Sequence, residues 1–322
     1  MRILVGPLNN RDHRAVAGAF EGFDVRCFDT HAADIAYRSS FQTFQDLWAR
    51  LSQQWSPDVL IWWLPECARI PSGIHECPCL SVAIVENCEL NPAETRSALE
   101  AFDHVFTDRG GVERLRQSGF DRVTHWPMNG FDPRQFRRLT NVERISDVTV
   151  VGAFNCDSQP DQPDWIRRVR SLARHFNFRF HSGVQGEEYA RQLNQTKIVL
   201  NRSFRGEMNS PAYEAAACGA LLFMEEENLE IRDCFVDRIH CVLYNQDNLE
   251  WLITYYLAHP EEREAIAHRG WLRVQAETFR KHFERLLDLL ERYARARQLH
   301  RPVVVPARPR EPVRQLAALA SR

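Results

Sequence analysis

YARQLNQTKIVLNRSFRGEMNSPAYEAAACGALLFME, residues Tyr189 to Glu225, is the stretch on which the fold turns. It reads as helix, buried strand, polar loop, short capped helix and second buried strand. Lys197 to Asn201 and Ala220 to Phe223 are short apolar runs of strand length. A helix between two such runs makes a crossover, which joins parallel strands with right-handed sense. The loop between strand and helix then lies at the carboxyl end of a parallel sheet, where α/β proteins bind their ligands.

The loop's chemistry follows residue by residue. Ser210 or Asn209 is an N-cap, Pro211 is tolerated at the first helical position, Ala212 to Cys218 is a compact helix, and Gly219 supplies the left-handed stop. The first turn of such a helix presents backbone N–H groups and the positive end of its dipole, which suit a phosphate. Arg202 and Arg205 in the preceding segment can add charge-assisted contacts. Glu214, one turn in, lies close to whatever carries that phosphate, and a carboxylate can accept both hydroxyls of a ribose. The alternative is that Glu214 only complements the helix dipole while the arginines are solvated.

Outward from this stretch the same alternation repeats. Ile3 to Val5, Asp24 to Phe28, Asp58 to Leu64, Leu80 to Val85, His104 to Thr107 and Arg122 to Trp126 are expected strands. They are interleaved with helical segments such as Phe41 to Gln53 and Gly111 to Gln117. A second set comprises Val148 to Val151, Phe178 to His181, Lys197 to Leu200, Ala220 to Met224 and Cys241 to Tyr244. The sequence therefore predicts two similar α/β domains in tandem. A late helical pattern, Arg280 to Arg297, places Phe283, Leu286, Leu287, Leu290 and Tyr293 on one side. The chain after it is rich in Arg and Pro and reads as a linker or terminus.

Composition fits this division. At 322 residues the chain exceeds one ordinary core, and 44% hydrophobic with 26% charged residues is a globular balance. A net charge of −2 gives the body no electrostatic reason to bind nucleic acid or an anionic membrane. Of 41 basic residues only Lys197 and Lys281 are lysines, so an arginine carries information here by its location and not by its presence. No stretch reaches the ~20 apolar residues of a membrane span, and MRILVG opens on a strand, so a cytoplasmic protein is expected. Nine cysteines, an odd number, then read as reduced thiols. Cys67, Cys77, Cys79 and Cys88 with His75 lack the paired C-x-x-C spacing of a zinc site, and no metal or other cofactor is expected. GPLNN and VGAFN do not complete a G-x-G-x-x-G fingerprint, which disfavours a nicotinamide enzyme.

KIVLN, a polar loop and N-x-x-x-(aromatic)-E-A-x-A-C-G-A before a strand resemble the donor-nucleotide half of GT-B glycosyltransferases, most closely the group related to spore maturation proteins (CgeB-like). FDHVFTDRGGVERLRQSGFDRVTHWPMNGFDPRQF, SDVTVVGAF, FRFHSGVQGEEYARQLNQTKIVLN and LAHPEEREAIAHRGWLRVQAETFRKHFERLL extend the resemblance in order over the last two-thirds of the chain. It implies two Rossmann-like doubly wound domains facing across a cleft. These are an acceptor domain at 1–130, a connection at 131–146, a nucleotide-sugar domain at 147–279, a helix at 280–298 returning to the first domain, and a tail at 299–322. It also implies that Gly152, Ala153 and Asn155 line the diphosphate and that Gly183 lies near the base. Asn201, Arg202, Arg205, Asn209, Ser210, Pro211, Ala212, Tyr213 and Glu214 would complete the donor site. Two departures stand out. Pro211 occupies the position where the family commonly carries an arginine, and Glu207 and Glu214 have six residues between them where many retaining members have seven.

The first domain is expected to hold the acceptor. Glu86, after the strand VAIV, and His13, in the first loop region, are candidate bases, and Glu207 is a candidate for the donor-sugar contact. For Glu86 and His13 the alternative is a structural or solvated side chain. Trp62 and Trp63 could stack on a sugar, with one of the pair turned to the core by strand alternation. The expected activity is transfer from a nucleoside-diphosphate sugar, with UDP as the bound product, to a hydroxyl acceptor. The absence of a D-x-D motif is consistent with metal independence, and the incomplete two-glutamate resemblance favours retention. The rivals are a GT-B module that binds nucleotide or glycan without transfer, and a sugar-nucleotide epimerase or hydrolase.

Overall fold

The computed structural model describes residues 1–8, 19–29, 34–36, 43–51, 55–67, 70–86, 92–152, 162–180 and 183–300. Two wholly parallel sheets organise them. The first contains β1 (Arg2–Leu8), β2 (Asp24–Asp29), β3 (Ile35–Ala36), β4 (Val59–Trp63), β5 (Leu80–Val85), β6 (His104–Thr107) and β7 (Val123–His125). Their order in the sheet is β3-β2-β1-β4-β5-β6-β7. The second contains β8 (Ser146–Gly152), β9 (Phe178–Phe180), β10 (Thr196–Arg202), β11 (Leu221–Glu225) and β12 (Val242–Tyr244), in the order β12-β11-β10-β8-β9. The expected strands all form, with ends shifted by up to three residues, and among the described residues only the two-residue β3 lies outside them.

Parallel strands need crossovers, and the crossovers cover both faces of each sheet. In the first domain α1 (Phe44–Trp48), α2 (Pro92–Leu99) and α3 (Arg109–Gln117) contribute Phe44, Leu47, Leu99 and Leu115 to one face, with Leu4, Leu60, Trp62 and Val105. In the second, α4 (Gln162–Leu172), α5 (Gly186–Asn194), α6 (Ser210–Ala217), α7 (Ile231–Cys234), α8 (Leu249–Ala258) and α9 (Pro260–Val274) surround the five strands. α1 is shorter than the expected Phe41 to Gln53. Thr43 and Asp46 form a reciprocal capping box that fixes its start, and the chain turns at Ala49.

α10 (Phe279–His300) packs on the first sheet, although its sequence follows the second domain. Phe283, Leu286, Leu287 and Leu290 lie against Ile3, Val5, Val59, Ile61, Trp63 and Phe106. Burying each of these four large side chains removes roughly 1.5–3 kcal/mol of apolar exposure, which holds the helix there. The outgoing and returning chain segments run side by side, with Phe131 and Thr278 bridged as in a parallel pair. At Gly130 a Cβ would come within 2.8 Å of the Phe279 nitrogen, so only glycine lets the two crossings touch. Glu277 sits at the same place, 3% exposed, receiving hydrogen bonds from Arg273 (2.6 Å), His282 (2.8 Å) and Arg285 (3.0 Å).

Among the described residues no helix is long and apolar enough to cross a membrane. The described cysteines are free thiols, and among the described residues no group of three or more His, Cys, Asp or Glu side chains could hold a metal ion. Cys77 Sγ lies 3.5 Å from Cys79 Sγ, while Cys88 falls outside the described residues.

Candidate active site

In the second sheet β8 has β9 on one side and β10 on the other, so the connections leave β8 in opposite directions. This divergence opens a crevice beyond the carboxyl ends of the strands. Gly152, at the end of β8, is in register with Arg202, at the end of β10. The segment from Arg202 to Asn209 therefore overhangs the crevice, and α6 starts from it.

Asn209 caps α6: its Oδ1 accepts the Ala212 N–H at 3.3 Å. That oxygen also accepts Asn201 Nδ2 at 2.7 Å. Asn201 is wholly buried, so it holds the cap in place and presents no surface of its own. Ala212 and Tyr213 are likewise at 0% exposure, and Tyr213 lies among the core side chains behind the helix. The helix end is less open to a phosphate than its sequence implies, because Pro211 has no N–H and the Ala212 N–H is already engaged by Asn209. Ser210 Oγ donates to Asn129 Oδ1 at 3.1 Å, linking α6 to the segment that leaves the first domain. Gly219 ends the helical segment at φ +74°, the left-handed conformation anticipated for it.

Glu214 is half-buried in a helix whose Ala212, Tyr213, Ala215, Ala216 and Ala217 are buried. The phenol of Tyr189, from α5, is pushed well above its usual range by burial and then by the Glu214 charge beside it. Arg202 lies over the Trp165 ring at 5.5 Å and Arg205 over the Phe204 ring at 5.3 Å. Both are partly exposed. Gly183 is exposed at φ +72°, before α5.

Glu207 is 8% exposed and turned into its own loop, accepting the N–H groups of Phe204 (3.2 Å) and Arg205 (2.6 Å). Burial pushes its carboxyl up against these hydrogen bonds and the Arg205 charge. In the first domain, the Glu86 N–H donates to Glu66 Oε1 at 2.7 Å, bringing two carboxylate residues together where β4 and β5 end. His13, Ala153 and Asn155 fall outside the described residues. Trp62 and Trp63 are 0% and 8% exposed, packed on opposite faces of the sheet, so neither is turned to a ligand. Alternation turns the two to opposite faces as expected, with Trp62 in the core, and Trp63 is covered as well because a parallel sheet is packed on both sides.

A group of polar residues that the sequence reading missed joins the two domains. Glu225 accepts Ser203 N–H at 2.9 Å and also the Ser203 hydroxyl. Asn228 donates to the Glu207 carbonyl at 2.9 Å and accepts the N–H groups of Glu230 and Ile231. Glu230 accepts the Met208 N–H at 2.8 Å, the Arg109 N–H at 2.9 Å and meets His125 Nε2 at 2.9 Å. Burial opposes ionisation of Glu230, but these hydrogen bonds and His125 outweigh it and hold its carboxyl low. Arg109 closes the contact on Asp233 at 2.6 Å. The available signal was EEENLE, a run of acids directly after a buried strand.

Two parallel α/β domains, crossed twice by the chain and meeting at their ligand-binding ends, define a protein of the GT-B fold. Residues 134–288 match a family described as glycosyl transferase-like, Glyco_trans_1_2. No curated protein matches the sequence. Among solved structures, the chain is similar to sucrose-phosphate synthase of Thermosynechococcus elongatus, with 13% identity over 92% of this chain and 100% of that one and a TM-score of 0.59. It is similar to HepE of Anabaena, solved in complex with UDP, with 9% identity over 91% of this chain and 100% of that one and a TM-score of 0.61. The pneumococcal O-GlcNAc transferase GtfA, solved with UDP and GlcNAc, shares 11% identity over 76% of this chain and 57% of that one, with a TM-score of 0.51.

Proposed function

We propose that the protein is a glycosyltransferase that moves a sugar from a UDP-sugar to a hydroxyl acceptor, without a metal ion and with retention of configuration. On this reading it would belong with the group related to spore maturation proteins. The observation that carries the proposal is the position of Glu214. It is the partly exposed carboxylate of α6, one turn from the capped N-terminus that adjoins the β8/β10 crevice. A carboxylate there can accept both ribose hydroxyls while the diphosphate lies toward Gly152 and the helix end. The UDP found in HepE and GtfA supports the choice of nucleotide.

Pro211 and the engaged Ala212 N–H shift the burden of charge neutralisation to Arg202 and Arg205. Their guanidinium groups would stabilise the diphosphate as it leaves, the electrostatic part of the catalysis. Glu207 shapes the loop that carries Arg205. The acceptor would lie in the first domain, near Glu86 or His13, in a cytoplasmic enzyme divided as 1–130, 131–146, 147–279, 280–298 and 299–322.

Turnover of UDP-glucose and UDP-N-acetylglucosamine, followed with and without a panel of glycan, peptide and small hydroxyl acceptors, tests the proposal. Acceptor-dependent release of UDP is the expected outcome. Release without acceptor would favour a hydrolase, and nucleotide binding with no release under any condition would favour a non-transferring module. The Pro211 substitution favours that second reading.

A further inference from the structure

Glu230 is one carboxylate with three backbone or side-chain partners on three different segments. On the second-domain side, its Oε2 accepts the Met208 N–H, directly before the Asn209 cap. On the first-domain side, its Oε1 meets the Arg109 N–H at the start of α3 and His125 Nε2 at the end of β7. Asn228 fixes the Glu230 backbone and donates to both the Ser203 hydroxyl and the Glu207 carbonyl, so the same short turn holds both ends of the 203–209 loop. The contact is flanked by Arg109 with Asp233 and by Ser210 with Asn129. Asp108 and Arg205 also face one another across it electrostatically, as do Asp108 and Glu230.

From this arrangement we infer that Glu230 is a positioning residue that couples the 203–209 loop to closure of the two domains. The inference rests on the reading of that loop as part of the donor site. Any ligand that orders the loop also orders Met208, and through Glu230 it favours the arrangement in which His125 and Arg109 are engaged. Such coupling is reciprocal, so breaking the first-domain arm must weaken ligand binding at a site it never touches.

The test alters His125, whose side chain is 27% exposed and tolerates replacement better than buried Glu230. His125→Phe removes the hydrogen-bonding nitrogen, while His125→Gln offers an amide at a similar reach. Small-angle scattering of the full chain without nucleotide, and UDP titration by calorimetry, are measured for both. The expected result is a larger radius of gyration and a 3- to 10-fold weaker UDP affinity in His125→Phe, with both restored toward wild type in His125→Gln. A merely structural role would lower the melting temperature without this pairing or rescue. Wild-type scattering and wild-type affinity in His125→Phe would overturn the inference. If the wild-type protein binds no UDP, the donor reading fails by itself, and unchanged scattering in His125→Phe would then separately overturn the coupling through Glu230.

Discussion

Glu214 interrupts an otherwise buried helical run, Ala212 to Ala217. On the proposed reading, removing its carboxylate would take away the ribose contacts, while the neighbouring alanines keep the core contact of the helix. Glu214→Ala is expected to weaken UDP binding at least several-fold with the melting temperature little changed, as followed by calorimetry and thermal denaturation. Asn209 behaves differently, since its amide serves both the helix cap and buried Asn201. Asn209→Ala should cost about 1–2 kcal/mol of stability, read from urea denaturation, because it loses the cap and strands a buried amide. The identity of these residues was legible in sequence from cap, proline and glycine positions. Their division of labour was not, because the Asn201–Asn209 pairing depends on how the strand end meets the helix start.

Among the elements, the strands were legible because a parallel sheet covered on both faces writes each strand as an unbroken apolar run. VLIWW and LSVAIV are buried along their whole lengths. The same property covers both Trp62 and Trp63, so that full coverage leaves neither face for a sugar. The Glu225–Asn228–Glu230 network was illegible, because its partners Arg109 and His125 lie more than a hundred residues away and join it only once both sheets exist. α10 is the element on which the molecule's connectivity depends. Phe283 is 1% exposed and stacks near Phe20, Trp63 and Trp126. Phe283→Ala should cost about 3–5 kcal/mol by urea denaturation, the ordinary loss for truncating a buried phenylalanine.

For the whole molecule, the double crossing makes Glu277 a pH-sensitive joint. Burial alone would raise its carboxyl, but hydrogen bonds from His282, Arg273 and Arg285 outweigh burial and hold it at about 2. A folded-state value below the unfolded one means that ionised Glu277 stabilises the fold above the usual carboxylate range. That stability is lost as pH falls from about 4.5 through about 2. Melting curves of wild type and Glu277→Gln should differ by about 3 kcal/mol near neutrality and converge across this window. A constant difference at every pH would show that the charge does not contribute.

On the proposed function, the β8/β10 crevice binds a uridine nucleotide through Glu214. The most direct test is calorimetric titration of UDP, with GDP, dTDP, CMP and ADP as comparisons, into wild type and Glu214→Ala. Selective UDP binding by the wild type and a substantial loss in the variant are expected. No binding of any nucleotide at millimolar concentration, or equal UDP affinity in the two proteins, would contradict this reading.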